Sequence, residues 1–151
     1  MSELSDIARR LQSIDLIGLF DKALSKQLPQ IEKFNRQQLN EGIRADGTSM
    51  PSHSKSPMSE IYIDNKIERG VYDQSIYPSM NFYYKGNFHR GIKAQMTLFD
   101  IEIESTDSKA NELEELGGQS IYGNTEENLD KSRKEILDET LEMLNNKIKG
   151  T

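Results

Sequence analysis

Hydrophobic positions recur at helical spacing at both ends of the chain and at strand spacing in its middle. Ile7, Ala8 and Leu11 follow Ser5 and Asp6, either of which can cap a short first helix. Asp15 can open a second, in which Leu16, Leu19, Phe20, Ala23 and Leu24 share a face. Pro29 is expected to kink or restart that helix. Ile31, Phe34 and Leu39 carry the stripe on to Gly42, a suitable stop. These apolar stripes read as core or helix-helix packing. After Gly86 comes one helical turn over 87–90. Ile92, Ala94, Met96 and Leu98 then alternate with Lys93, Gln95 and Thr97, the period of a half-buried strand. The phase shifts at Phe99-Asp100, where a turn or bulge is expected, and resumes with Ile101 and Ile103.

Ser105, Thr106 or Asp107 can cap a helix holding Leu113 and Leu116, stopped by Gly117-Gly118, and Ile121-Tyr122 reads as a short extended piece. Asn124 with Glu127, or Thr125 with Asn128, caps the last helix. It shows Leu129, Ile136, Leu137, Leu141, Leu144 and Ile148, with lysines near its end that favour its dipole. Between the two ends the pattern fades. Asp46-Gly47 signals a turn, residues 49–60 read as loop, and Ile61, Tyr62 and Ile63 suggest a brief strand. Residues 66–78 suit an extended arm or long hairpin. The expected fold is α+β. A small antiparallel sheet over about 92–103 is flanked by N-terminal helices and a long amphipathic C-terminal helix, with 49–78 as an extended loop or arm. A length of 151 residues favours one domain.

Composition changes this picture in one respect. Hydrophobic residues make up 34% and charged residues 29%, with a mean hydropathy of −0.73, so a well-filled core in an isolated chain is not expected. Part of the surface is expected to order against neighbours. A net charge of −6 argues against a general nucleic-acid-binding surface, although an acidic wall can face DNA without holding it. With no cysteine there is no disulfide and no thiolate metal site. No apolar run approaches the length of a membrane span and no signal-peptide pattern opens the chain, so a soluble protein made inside the cell is expected.

Candidate chemistry is sparse. His53 and His89 are the only histidines, and without cysteine a metal site on either would need distant carboxylates; a surface or packing role is preferred. Asp100, Glu102 and Glu104 stand at strand spacing and can present carboxylates on one face, as in metal-dependent hydrolases or nucleases. Lys109 lies across a helix cap, the wrong place for the lysine such sites use, and a solvated face or one meeting a basic partner is favoured. Phe82, Tyr83, Tyr84 and Phe88 can stack on bases, but in an acidic chain they fit a core or a subunit contact better. No nucleophile elbow and no phosphate-binding loop occur. Tyr72, Tyr77, Phe82, Tyr83, Tyr84, Phe88, His89, Arg90, Asp100, Glu102 and Glu104 are therefore candidates for subunit contacts. No catalytic residue, metal or cofactor is expected.

One ordered set of short blocks carries more. The run Asn35-Arg36-Gln37-Gln38-Leu39-Asn40-Glu41-Gly42-Ile43 is followed by Asp46-Gly47 and a serine-rich loop. Lys66 comes next, then Tyr84-Lys85-Gly86-Asn87-Phe88-His89, Ser105-Thr106-Asp107-Ser108-Lys109 and Ile121-Tyr122-Gly123-Asn124. In this order, over about residues 35–124, the blocks resemble small bacteriophage virion-morphogenesis proteins. Those include tail-completion and head-tail connector proteins and ring proteins of crAss-like phages. The residues carrying the match are Gly42, Asp46, Gly47, Lys66, Gly86, Asp107 and Lys109. Lys85 departs from it, standing where the glycine phrase has threonine.

The resemblance implies a non-enzymatic α+β subunit that forms a homo-oligomeric ring in the virion neck or tail. Its partners would be the portal and other neck or tail proteins, with DNA passing through the channel unbound and no membrane involved. Its place would be the virion, and the host cytoplasm during assembly. Two other readings follow from the residues: a metal-dependent hydrolase or nuclease using Asp100, Glu102 and Glu104, and a host-side module that binds and inhibits another protein.

Overall fold

The fold is that of a computed structural model, which describes residues 3–54, 56–83, 85–97 and 100–150. It is α+β. Six helices and two strands are described: α1 (Glu3–Gln12), α2 (Leu16–Asn40), α3 (Pro57–Glu68), α4 (Asn87–Gly91), β1 (Ile92–Met96), β2 (Ile101–Ser105), α5 (Ala110–Gly117) and α6 (Glu126–Lys149). The chain divides into two compact units, residues 1–28 with 130–151, and residues 29–129.

The first unit is helical, built from α1 and the stretches of α2 and α6 that fall within it. The Asp15 carboxylate accepts the Gly18 N–H at 2.9 Å, capping α2 as its sequence implies. Helix α2 runs through Pro29 without interruption, so the proline does not restart it. Leu19, Ala23 and Ile136 are buried in this unit, whereas Leu4, Leu16, Ile17, Phe20, Leu137 and Leu141 stand exposed. Helix α1 buries no residue at all.

The second unit holds the sheet and a core of Leu39, Met50, Phe88, Ile92, Ala110 and Ile121, against which Phe82, Ile103, Leu113 and Tyr122 pack. Strands β1 and β2 pair antiparallel, with Ile92 opposite Ser105, Ala94 opposite Ile103 and Met96 opposite Ile101. Lys93 faces Glu104 and Gln95 faces Glu102, which keeps charge on the outer face and supplies opposite-charge pairing. One N–H on the free edge of β1 is capped from α2: that of Ala94 donates to the Glu32 carboxylate at 3.1 Å, and Arg36 donates to the same carboxylate at 2.8 Å. An edge N–H satisfied from α2 is no longer a template for another strand.

Helix α2 ends as its sequence implies. Gly42 sits at φ 69°, its N–H bonded to Leu39 O and that of Ile43 to Gln38 O, the paired bonds of a Schellman stop. The region 49–78 departs from expectation. It contains α3 where loop and a brief strand were expected, and a 3-10 turn at Gln74–Ile76. Ser56 caps α3 by accepting the Ser59 N–H, Pro57 occupies the first turn, and Gly70 closes it with a second Schellman pair to Ile67 and Lys66. Ile61, Tyr62 and Ile63 are helical because these end signals outweigh the β preference of two isoleucines. Ile121 lies in a 3-10 turn, Gln119–Ile121, rather than an extended piece. Leu98, the expected end of β1, and Phe99, expected in the turn after it, lie outside the described residues.

Candidate functional site

Buried amides hold the second unit together, and they lead to the most unusual side chain in it. Asn35, fully buried, donates to the carbonyls of Ile121 and Gly123 at 2.9 and 2.7 Å. Gln38 donates to Gly123 O, and its own carbonyl accepts the Thr125 N–H and the Asn128 amide at 2.7 and 2.9 Å. Gln38 thereby satisfies the start of α6, where a reciprocal Thr125–Asn128 cap was expected. Asn124 is no cap either: it is buried and donates to Ile31 O. The Ala45 N–H bonds to Ser120 O at 2.7 Å. The block at 35–43 and the block at 121–124, far apart in sequence, are thus stitched directly to one another.

The same holds around the glycine turn. Gly86, at φ 77°, opens α4, and the Ser105 hydroxyl donates to Phe88 O at 2.9 Å. The Thr106 N–H bonds to Gly91 O, and a Cβ at Gly91 would come within 2.7 Å of the Ser105 oxygen, so the crossing needs glycine. Asp107 accepts the Lys109 N–H at 2.8 Å and so shapes the turn ahead of α5 instead of capping it. Asp46 makes a similar turn, taking the Thr48 N–H and hydroxyl, which holds its carboxyl below the usual range. Gly47 follows at φ 79°.

Asn81 is the hub. Only 1% exposed, it accepts Lys66 Nζ at 2.5 Å and the Tyr83 N–H at 3.2 Å on Oδ1, and donates to Val71 O at 2.8 Å. Its backbone carbonyl accepts His89 Nε2–H at 2.7 Å, which fixes the tautomer and leaves Nδ1 buried without a partner. Burial pushes His89 down to about 4, so the ring is neutral in the fold. Next to this hub Phe82 holds φ 52°, a left-handed conformation rare for a bulky residue, with its ring edge-on to Phe88 at 6.0 Å.

Lys66 is 2% exposed. Its ammonium lies 5.3 and 5.1 Å from the ring centres of Tyr62 and Tyr72 and is offered no carboxylate among the described residues. Burial, and then Arg69, lower its pKa to about 8. His53 packs edge-on against the same two tyrosines at 6.0 and 5.7 Å, with Nε2 buried and unpartnered. Both groups line a cleft of about 580 Å³ whose apolar walls include Met80, Phe82 and Leu113 and whose charged members are Lys85, Asp107 and Lys109. A cleft of this size suits a small ligand or one inserted peptide segment.

The remaining candidates divide by burial. Tyr72, Phe88 and His89 lie inside the unit, the Tyr72 hydroxyl donating to Ser79 O at 2.7 Å, so these rings serve its own packing. Tyr77 and Arg90 remain exposed, and Phe82 and Tyr83 are half-buried. Tyr84 lies outside the described residues. Asp100, Glu102 and Glu104 are exposed on the hairpin, and among the described residues no group of three or more His, Asp or Glu could hold a metal ion. No helix among the described residues is long and apolar enough to cross a membrane.

Sequence reasoning named Lys66 and His53 without joining them, and overlooked Asn81 as a hub. The Ser56-Pro57 start and the Gly70 stop were the available signal, since a helix between them places Ile63 and Lys66 one turn apart on one face. Comparison with models of protein families, with curated proteins and with solved structures gives no match.

Proposed function

We propose that this chain is a structural, non-enzymatic subunit of a bacteriophage neck or tail ring, of the head-tail connector or tail-completion kind, assembling with the portal or tail around the DNA channel. The ordered blocks over residues 35–124 carry the reading. Two features support it. Blocks distant in sequence hydrogen-bond to one another, as expected of a motif set that specifies one structure. Apolar side chains of the helical unit stand in solvent, Leu4 at 78% and Ile17 at 76%, as expected of a surface that neighbours cover. Head-to-tail contacts between such surfaces close into rings. The acidic hairpin residues Asp100, Glu102 and Glu104 then serve as a face that repels passing DNA or meets a basic neighbour.

The test is electron microscopy and sedimentation of the purified full chain, together with labelling of the protein in phage particles. Rings, and label confined to the neck or tail, are the expected outcome. A monomer at high concentration with no label on particles would end the proposal.

A further inference from the structure

The Lys66 cleft has the parts of an anion site. A lysine with 2% exposure normally has a carboxylate beside it, because a desolvated ammonium is otherwise costly. Among the described residues its ammonium donates to Asn81 and lies near the faces of Tyr62 and Tyr72. The ammonium keeps donors to spare. His53 adds a buried, unpartnered ring nitrogen against the same two tyrosines. Lys85 and Lys109 line the cleft too, against a single carboxylate, Asp107, in a chain whose net charge is −6. Beside this polar end the walls are apolar.

We propose that the cleft receives a carboxylate carried beside apolar groups, and that the occupant is an acidic side chain of a second copy of this chain. The carboxylate accepts hydrogen bonds from Lys66 Nζ and from His53 Nε2 in its protonated tautomer, while the adjoining apolar group packs on Phe82 and Leu113. Charge complementarity selects the occupant. The acidic chain carries its own match on α6, where the exposed Asp138 and Glu142 stand beside the exposed Leu137 and Leu141. This choice of occupant rests on the ring reading; the carboxylate site itself does not.

Octanoate and 1-octanol, the same tail with and without the charge, are the probes, titrated into the full chain and followed by amide NMR. At about pH 7 octanoate shifts the amides around Lys66, Asn81 and Phe82, and octanol leaves them unmoved. Lys66→Met, which keeps the apolar stem, weakens octanoate by at least about tenfold, the scale expected for one buried charge-assisted bond. Octanoate binding to the unmodified chain falls by about tenfold on going to about pH 9.5, as a lysine of lowered pKa loses its proton. Should Lys66→Met fail to fold, that pH profile and the octanoate–octanol pair decide alone. Equal binding of both probes, or no change with pH, overturns the carboxylate site.

Sedimentation velocity then tests the occupant. Self-association that octanoate and Lys66→Met both weaken supports a second copy. Assembly that neither affects overturns the second copy as occupant and leaves the ring reading standing. A chain that binds octanoate through Lys66 and stays monomeric overturns the occupant and the ring reading together, and assigns the site to a free amphiphilic acid.

Discussion

The two units of this chain spend their hydrophobic residues differently. In the helical unit Leu19, Ala23 and Ile136 are buried while Ile17, Phe20, Leu137 and Leu141 face outward, and α1 contributes nothing to an interior. In the mixed unit a core of six buried residues is tied by amides that donate to backbone carbonyls of other segments. Buried amides aimed at particular backbone groups favour one arrangement and are costly to remove. A stripe of exposed leucines fixes nothing until something covers it. One unit therefore specifies itself, and the other is suited to being completed by a neighbour.

The sharpest way to break that contrast is at Asn81. Replacing it by alanine strands Lys66, the Val71 carbonyl and the Tyr83 N–H at once, and the expected loss is about 3 kcal/mol of stability. Thermal denaturation gives the magnitude. Hydrogen exchange gives the place: faster exchange should concentrate in residues 29–129. Uniform acceleration across both units, or a loss under about 1 kcal/mol, would mean that the hub does not organise the mixed unit.

Acid should act through His89. Its folded pKa is pushed down to about 4, chiefly by burial, whereas an unfolded histidine takes its proton near 6.5. Between those values the unfolded chain binds more protons, so the stability His89 contributes is complete above about pH 6.5 and is lost as pH falls toward 4. The full change is roughly 3 kcal/mol. Lys66 works at the other end: with a folded value of about 8 against 10.5 unfolded, it makes stability rise as pH climbs between them. His89→Phe should flatten the acid limb and Lys66→Met the alkaline one. Denaturant melts from about pH 4 to 10 read both limbs, and a profile unchanged in either variant removes that group as its cause.

What could be read from sequence and what could not follow the same division. Helix α2 and its stop, the turn before β1, both strands and α6 were visible because their apolar periods and end residues agree. Helix α3 was missed because its pattern is inverted: Met58 and Ile61 face solvent and Lys66 is buried, so no apolar stripe marks it. Its ends were marked by Ser56, Pro57 and Gly70, and capping chemistry was the better guide there. The amide ties from Asn35, Gln38, Asn81 and Asn124 had no periodic signal, since their partners are backbone groups up to 93 residues away. The cleft was invisible for the same reason, as it joins Lys66 to a histidine read only as loop. The left-handed Phe82 could not have been expected from any residue preference.

Exposed and buried apolar groups of the helical unit sharpen the contrast next. Ile136→Ala should cost about 2 kcal/mol, the usual price of emptying a buried aliphatic site. The double change Leu4→Ser with Ile17→Ser should leave the melting of dilute protein within about 0.5 kcal/mol, because those side chains are 78% and 76% exposed in one copy. In sedimentation the same double variant should lose self-association. Destabilisation of the dilute double variant comparable to that of Ile136→Ala would show that this face is packed within a single copy.

The smallest expected effect compares one ion pair from each unit. Lys26 meets Glu139 on the helical unit with side chains 62% and 30% exposed, so water and salt screen most of the attraction. Glu32 in the mixed unit is 13% exposed, and its carboxylate is shared among Arg36, the Ala94 N–H and, at 3.7 Å, Lys93. Removing Glu32 leaves an edge N–H of β1 without its acceptor; removing Lys26 leaves Glu139 in contact with water. Glu32→Ala should therefore cost about 1–2 kcal/mol and hold that cost in high salt, since the backbone bond is not screened. Lys26→Ala should cost less than about 0.5 kcal/mol and nothing at high salt. Paired denaturant titrations at low and high ionic strength separate the two. A Lys26 effect as large and as salt-resistant as that of Glu32 would mean that the helical unit also draws its order from specific polar contacts, and that the contrast between the two units does not hold.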